Sequence, residues 1–278
     1  MYAISRMMAI REDALVENNL KNRLRAGETS YVFSVRMART MNIVAMAEAV
    51  GYHGFYVDLQ HSSISIDTAA QIFQTALHTS VTAFVRVPSL EPGLISRLLD
   101  AGAQGILAPD VRSADQAQAL VRAALIAPRG DRSVGASIPN PKFKGLFGAA
   151  LASAMNDATL LIAMIETEDA AERADEIIAV DGIDAIQIGS NDLTNSMGIP
   201  GQFTDERVQA VYGKVIGACR KAGKPLLIGG MRNAEHFQLY VRKGAARCYF
   251  TGSDANFLME GAGKFLSEAM ACEKALVD

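Results

Sequence analysis

The sequence predicts an α/β fold, a (β/α)8 barrel of the TIM type, and three observations carry that expectation. Short β-branched or apolar runs alternate, from Tyr31 onward, with longer segments of helical period. Most connections between them are short, so each strand must return by a crossover and pair in parallel with its predecessor. Eight such units fit the 278 residues, near the usual size of that barrel. A doubly wound open sheet is the alternative, but it ordinarily carries a glycine-rich turn after its first strand. Arg36-Met37-Ala38-Arg39 stands there instead.

The strands are expected at Tyr31–Val35, Gly54–Leu59, Thr82–Val87, Gly105–Ala108, Thr159–Ile165, Ala185–Ile188, Pro225–Ile228 and Arg247–Thr251. Helical period occupies Asn42–Ala49, Ile66–Thr79, Gly93–Ala101, Ala114–Ile126, Asp169–Val180, Asp205–Ala222 and Ala234–Lys243. Ser113, Thr167 and Thr204 stand at N-cap positions, and Gly102, Gly223 and Gly244 follow helix ends. Residues 1–28 carry a mixed-charge helical pattern and read as an N-terminal extension, a candidate plug for the barrel bottom. Residues 29–254 form the barrel and 255–278 a C-terminal helix, all within a single domain. Residues 128–157 form a long connection after the fourth unit, and a connection that long is more often functional than decorative.

Half the residues are hydrophobic, enough for a sizeable core. A net charge of -3 exerts no long-range pull on nucleic acid or anionic membrane, and the lack of Trp argues against base stacking. Cys219, Cys248 and Cys272 are odd in number and far apart, with no disulfide or metal spacing, which suits a reducing, cytoplasmic setting. No window approaches the roughly 20 uninterrupted apolar residues of a membrane span.

A barrel of this kind works at the carboxyl ends of its strands. Those ends carry Arg36, then Asp58-Leu59-Gln60-His61, Arg86, Glu166, Gly189-Ser190-Asn191-Asp192 and, last, Gly252-Ser253-Asp254. Charges that end apolar runs are costly unless they pair or bind something. Glu166 and Asp192 end neighbouring strands, and two carboxylates with room for water suit Mg2+ or Mn2+; capping the helices that follow is the plainer alternative. His61, with an ordinary pKa of about 6.5, is a usable acid or base, or a hydrogen-bonded residue of the rim. Arg86 can hold a carboxylate or a developing oxyanion, or simply pair with Asp58 or Glu166. Gly189-Ser190-Asn191 offers backbone N–H groups to an anion.

At these residues the chain resembles the HpcH/HpaI family of metal-dependent 2-oxo acid aldolases. VDLQHS at 57–62, VRVP at 85–88, LLDAGAQGILAPDV at 98–111, APRGDRSVGAS at 127–137, MIET at 164–167 and IGSNDL at 188–193 match it in order, over about Tyr31 to Asp254. The resemblance implies that Glu166 and Asp192 ligate a divalent metal (Mg2+, Mn2+ or Co2+), that His61 is the general base and that Asp100 raises its basicity. It implies that Arg86 stabilises the enolate of a pyruvate-type 2-oxo acid, and that the N–H groups of Asn191 and Asp192 hold the substrate carboxylate. It also implies a hexamer, a trimer of dimers, with C-terminal helices exchanged between subunits. Three positions depart from the family pattern: Met164 stands where Gln is usual, Gln60 where Glu is usual, and Asn191 where a small residue usually precedes the metal Asp, so all three are candidate substrate contacts.

The reading that follows is a class II aldolase acting on a 4-hydroxy-2-oxo acid, with a small 2-oxo acid and an aldehyde as its partners. Decarboxylation of an oxaloacetate-type acid through the same enolate is the alternative. A noncatalytic metabolite-binding barrel is a third reading, opposed by the joint presence of His61, Arg86, Asp100, Glu166 and Asp192.

Overall fold

The eight apolar runs become eight parallel strands in the computed structural model, which describes residues 17–135, 138–143 and 148–277. They are β1 (Ser30–Val35), β2 (Gly54–Asp58), β3 (Thr82–Arg86), β4 (Gly105–Ala108), β5 (Leu160–Ile165), β6 (Ala185–Gly189), β7 (Leu226–Gly229) and β8 (Cys248–Ser253). Each pairs with the next in chain order, and β8 returns to β1, so the barrel is closed and the open sheet is excluded.

Period-two alternation then sorts the side chains. Val32, Phe84, Leu107, Leu160, Ile162, Ala185, Leu227 and Cys248 fill the barrel interior. Their neighbours, among them Phe33, Phe55, Val57, Val85, Ile106 and Ile186, face the surrounding helices. Both layers are buried, and each fully buried large apolar side chain contributes about 1.5–3 kcal/mol.

The helices are α1 (Asn19–Arg25), α2 (Asn42–Val50), α3 (Ile66–Ala76), α4 (Pro92–Asp100), α5 (Ala114–Ala124), α6 (Gly148–Ala158), α7 (Glu168–Glu172), α8 (Ala174–Ala179), α9 (Ser190–Ser196), α10 (Glu206–Ala222), α11 (Ala234–Lys243) and α12 (Asp254–Val277). Ser113 and Thr167 cap α5 and α7 through their hydroxyls. Thr204 does not cap α10; Asp205 does, accepting from the Arg207 N–H, because a carboxylate both accepts the bond and complements the positive helix end. Gly223 and Gly244 close α10 and α11 at φ +65° and +116°, a region a β-carbon disfavours.

Short α1 lies across the amino ends of the strands. Leu20 and Leu24 join the interior cluster, and the Asn18 amide donates to the Gln104 and Ala158 carbonyls at 2.7 and 2.8 Å. Lys21 is buried against Asp184 at 2.9 Å; burial lowers its pKa, and the Asp184 charge opposes that. The rest of the expected extension, residues 1–16, lies outside the described residues.

The 128–157 connection contains α6, which its glycine- and proline-rich start conceals. Leu151, Ala152 and Met155 pack on Ile126 and Ile138, and the Asn156 amide pairs with both backbone groups of Ile126. None of its described residues lines the cavity at the strand ends.

The last helix, α12, begins against β1 and β8, where Phe257 lies 5.9 Å from Phe33 and 6.4 Å from Tyr52. Beyond that it stands away from the barrel, with Leu258, Met259, Phe265, Leu266 and Met270 exposed. No helix among the described residues is long and apolar enough to cross a membrane. The three cysteines are free, and burial pushes the Cys219 and Cys248 thiols up to about 12.

Candidate active site

One further step along the inward rows replaces apolar side chains with polar ones. Tyr56 is followed by Asp58, Phe84 by Arg86 and Met164 by Glu166, whereas β6 already carries the polar Gln187 and ends in Gly189. These ends surround a cavity of about 160 Å3 lined by Arg36, Tyr56, His61, Arg86, Met164, Gln187, Gly189, Ser190, Asn191, Asp192, Gly229, Gly230 and Phe250. Drug-sized ligands occupy about 300–1,000 Å3, so this space suits a small metabolite.

Glu166 is almost fully buried beside that cavity. Its Oε2 accepts the Asp110 N–H at 2.7 Å, and Asp110 adopts φ +50° to present it, a conformation Asp tolerates better than most residues. Oε1 points at Gly189, where a β-carbon would stand 2.5 Å away, so only glycine leaves room. Burial, with the Asp192 charge adding to it, raises the Glu166 carboxyl to about 7 against the pull of the Asp110 N–H.

Those features fit a divalent cation. The two carboxylates, just past the ends of the adjacent strands β5 and β6, repel each other, one oxygen of Glu166 has no protein partner among the described residues, and the donors are all oxygen. Among the described residues no three His, Cys, Asp or Glu side chains converge. A cation bound here would take two carboxylates from this chain and would need water and substrate to complete its shell, as Mg2+-type ions prefer.

Asp58, wholly buried, organises the opposite wall. Arg86 binds it with both ends of its fork, Nε to Oδ1 at 2.9 Å and Nη2 to Oδ2 at 2.5 Å. Arg36 adds Nε to Oδ2 at 2.8 Å. The N–H groups of Gln60 and His61 both donate to Oδ1 at 3.2 Å. Burial alone would raise the Asp58 carboxyl; the hydrogen bond and charge of Arg86, the Arg36 charge and the His61 N–H hold it below the ordinary carboxylate range. Arg86 is thus paired with Asp58, as one of its sequence readings has it, and it also lines the cavity. Its Cζ also lies 5.6 Å from the Tyr56 ring centroid.

The structure gathers His61, Arg86, Met164, Gly189, Ser190, Asn191 and Asp192 around one space, with Glu166 behind Gly189. It does not bring Asp100 there. Asp100 ends α4, which runs back from the carboxyl end of β3 toward the opposite face of the barrel. It accepts from Arg132 Nη2 at 2.6 Å and borders a separate groove with Ile66, Asp67, Ala70, Arg97 and Ala101. Within this chain the carboxylate that touches the His61 backbone is Asp58. Gln60 does not line the cavity, and its buried Oε1 has no partner among the described residues.

The sequence singles out none of Gln187, Tyr56 and Asp110 as site residues, and it offers Asp58 only as a strand-end charge and a partner for Arg86. Gln187 carried a signal, since it is the one polar residue in the apolar run AIQIG and is only 2% exposed.

Residues 34–260 match the family described as HpcH/HpaI aldolase/citrate lyase. The chain is 32% identical to a 4-hydroxy-4-methyl-2-oxoglutarate aldolase of Hapsidospora irregularis, over 88% of this chain and 92% of that one. It is 33% identical to a 2-keto-3-deoxy-L-rhamnonate aldolase of Escherichia coli, over 91% and 90%. The crystal structure of an HpcH/HpaI aldolase from Desulfitobacterium hafniense superposes with a TM-score of 0.84 at 30% identity, covering 90% of this chain and 96% of that one. With the match spanning nearly the whole barrel, the chain belongs to the HpcH/HpaI aldolase/citrate lyase family and is a carbon–carbon lyase.

Proposed function

We propose that this lyase cleaves and forms the C3–C4 bond of a 4-hydroxy-2-oxo acid, with Glu166 and Asp192 holding a divalent cation, Mg2+, Mn2+ or Co2+. The observation that carries the reading is the buried Glu166, raised to about 7 by burial and by the neighbouring charge of Asp192, behind Gly189 at the edge of a cavity lined by Asp192, His61 and Arg86. When bound, the cation would polarise the ketone of a chelating 2-oxo acid and make its C3 protons easier to remove.

The chain's own residues do the rest. The N–H groups of Asn191 and Asp192, at the start of α9, orient the donor carboxylate. His61 removes the C3 proton when the bond is formed, directly or through one water, and returns it after cleavage. Arg86, held rigid by Asp58, faces the carbonyl oxygen whose negative charge grows as the bond forms. Tyr56 and Phe250 close one side of the cavity with apolar surface, which strengthens those charge interactions.

Assembly belongs to the same reading. The apolar residues exposed along α12 suit burial against a second subunit, as in a hexamer built as a trimer of dimers. Three free thiols suit a reducing, cytoplasmic setting. The test is exchange of pyruvate C3 protons into deuterated water, followed by NMR with chelator-treated protein before and after Mg2+, Mn2+ or Co2+. Exchange that returns only with metal supports the reading, and full exchange in chelator overturns it.

A further inference from the structure

Two guanidinium groups share the Asp58 carboxylate, and one suffices to neutralise it. Arg86 takes both oxygens from inside the barrel, whereas Arg36 reaches Oδ2 through Nε alone. Among the described residues, Nη1 and Nη2 of Arg36 meet no acceptor. The Arg36 side chain is 39% exposed and Arg86 only 8%, so Arg36 stands nearer the mouth of the cavity both of them line.

The backbone beneath Arg36 is fixed from two sides. Asp254 accepts the N–H groups of Arg36, Met37 and Ala38 at 2.9, 2.9 and 2.7 Å. Arg39 Nη1 donates to the Arg36 and Met37 carbonyls at 3.2 and 2.7 Å. With its root pinned and its Nε engaged, Arg36 presents the planar end of its guanidinium in one direction. That end carries two parallel N–H donors matched to a carboxylate.

Charge balance points the same way. Glu166 and Asp192 match a divalent cation, and Asp58 matches one arginine. The second arginine shares a carboxylate that Arg86 already holds by both oxygens, and the nearby Asp254 carboxylate is turned to the backbone N–H groups of Arg36, Met37 and Ala38. The donor carboxylate is held on the α9 side of the cavity, so any anion met by Arg36 belongs to the other half of the substrate.

We propose that Arg36 binds a second carboxylate, one carried by the acceptor carbonyl compound, so that the 4-hydroxy-2-oxo acid handled here is a dicarboxylate. The proposal rests on the aldolase reading of the site given above. In the bond-forming direction, C3 of the 2-oxo acid loses a proton and bonds to the acceptor carbonyl carbon, whose oxygen gains a proton; nothing is oxidised or reduced. The acceptor carboxylate lies against Arg36 throughout.

The test couples pyruvate to glyoxylate or to glycolaldehyde, acceptors of matched size of which only the first is charged, using the full chain with Mn2+. The wild type is expected to prefer glyoxylate in kcat/KM. Arg36→Gln is expected to lower that preference by about 10- to 100-fold, mainly through the KM of glyoxylate, as loss of a charge-assisted bond would. Arg36→Lys, which keeps the charge without the fork, is expected to recover part of it. If Arg36 merely braces Asp58, both acceptors suffer equally and the ratio stays put, which overturns the proposal. A wild-type preference near one overturns it as well, even where metal-dependent exchange of pyruvate protons is intact. Absence of that exchange in the wild type overturns the aldolase reading itself and the proposal with it.

Discussion

Met164 and Gln187 are Cα partners across the β5–β6 ladder, and both side chains face the cavity. The resemblance places a glutamine at the position of Met164, and a thioether is at best a weak acceptor. In this chain the amide stands on the adjoining strand, with no hydrogen bond to another side chain or backbone group among the described residues. The polar group thus stands one strand over, and the space on the β5 side is left apolar and adaptable.

Donor choice should follow that shift. Met164→Gln is expected to move preference from 2-oxobutanoate, which carries a C3 substituent, toward pyruvate. Gln187→Leu is expected to weaken both donors by about 3- to 10-fold, the worth of one neutral hydrogen bond. Metal-dependent C3 exchange into deuterated water, measured by NMR for each donor, reads both effects. Equal exchange ratios in wild type and Met164→Gln would remove position 164 from donor selection.

Glu166 should make the metal response depend on pH. A carboxyl whose folded value is raised favours the fold while protonated, so its contribution fades as pH rises from about 4.5 through about 7. Above that range the metal-free protein holds a buried carboxylate beside Asp192, at a cost on the order of 3 kcal/mol. A divalent cation binds the ionised form and offsets that cost. The rise in Tm on adding Mn2+ is therefore expected to be small at pH 5.5, large at pH 8 and absent in Glu166→Gln. A rise of equal size at both pH values would sever Glu166 from metal binding.

His61 should affect proton transfer far more than metal affinity. His61→Ala is expected to slow C3 exchange by about 10²- to 10⁴-fold, the usual loss for a general base. Mn2+ binding, followed by calorimetry, should stay close to that of the wild type. An unaltered exchange rate would make His61 a rim residue.

Asp58 is where stability and chemistry meet. Asp58→Ala leaves Arg86 buried with no counter-charge, and breaking such a pair costs about 3–5 kcal/mol. Denaturant unfolding should show that loss, and C3 exchange should fall with it because Arg86 and the His61 backbone both lose their anchor. A variant as stable as the wild type would mean that Arg86 finds another partner or water.

The barrel was legible because short, nearly continuous apolar runs, as strands buried on both faces require, alternate with segments of helical period, and both signals are local. The strand ends were legible for the same reason: a charge that closes an apolar run must face something, as Glu166 and Arg86 do. Asp100 shows where that logic stops. It lies in the well-matched LLDAG, yet a helix carries it to the far end of its unit, and only coordinates reveal its pairing with Arg132. Asp58 and Arg36 sit 22 residues apart, and nothing in the sequence says that they touch. The capping shift from Thr204 to Asp205 is a smaller case, in which neighbouring residues compete for one role and the charged side chain takes it.

Asp254 is the first residue of α12 and also the acceptor for three successive N–H groups at the exit of β1. The junction between barrel and tail is therefore a shared part, and deletion experiments inherit that ambiguity. A chain cut at residue 253 would lose the tail and at the same time release the loop that aims Arg36. A chain cut one or two turns further on would lose most of the exposed apolar surface but keep the clamp. Comparing the two separates a defect of assembly from a defect of substrate recognition, which a single truncation would confound.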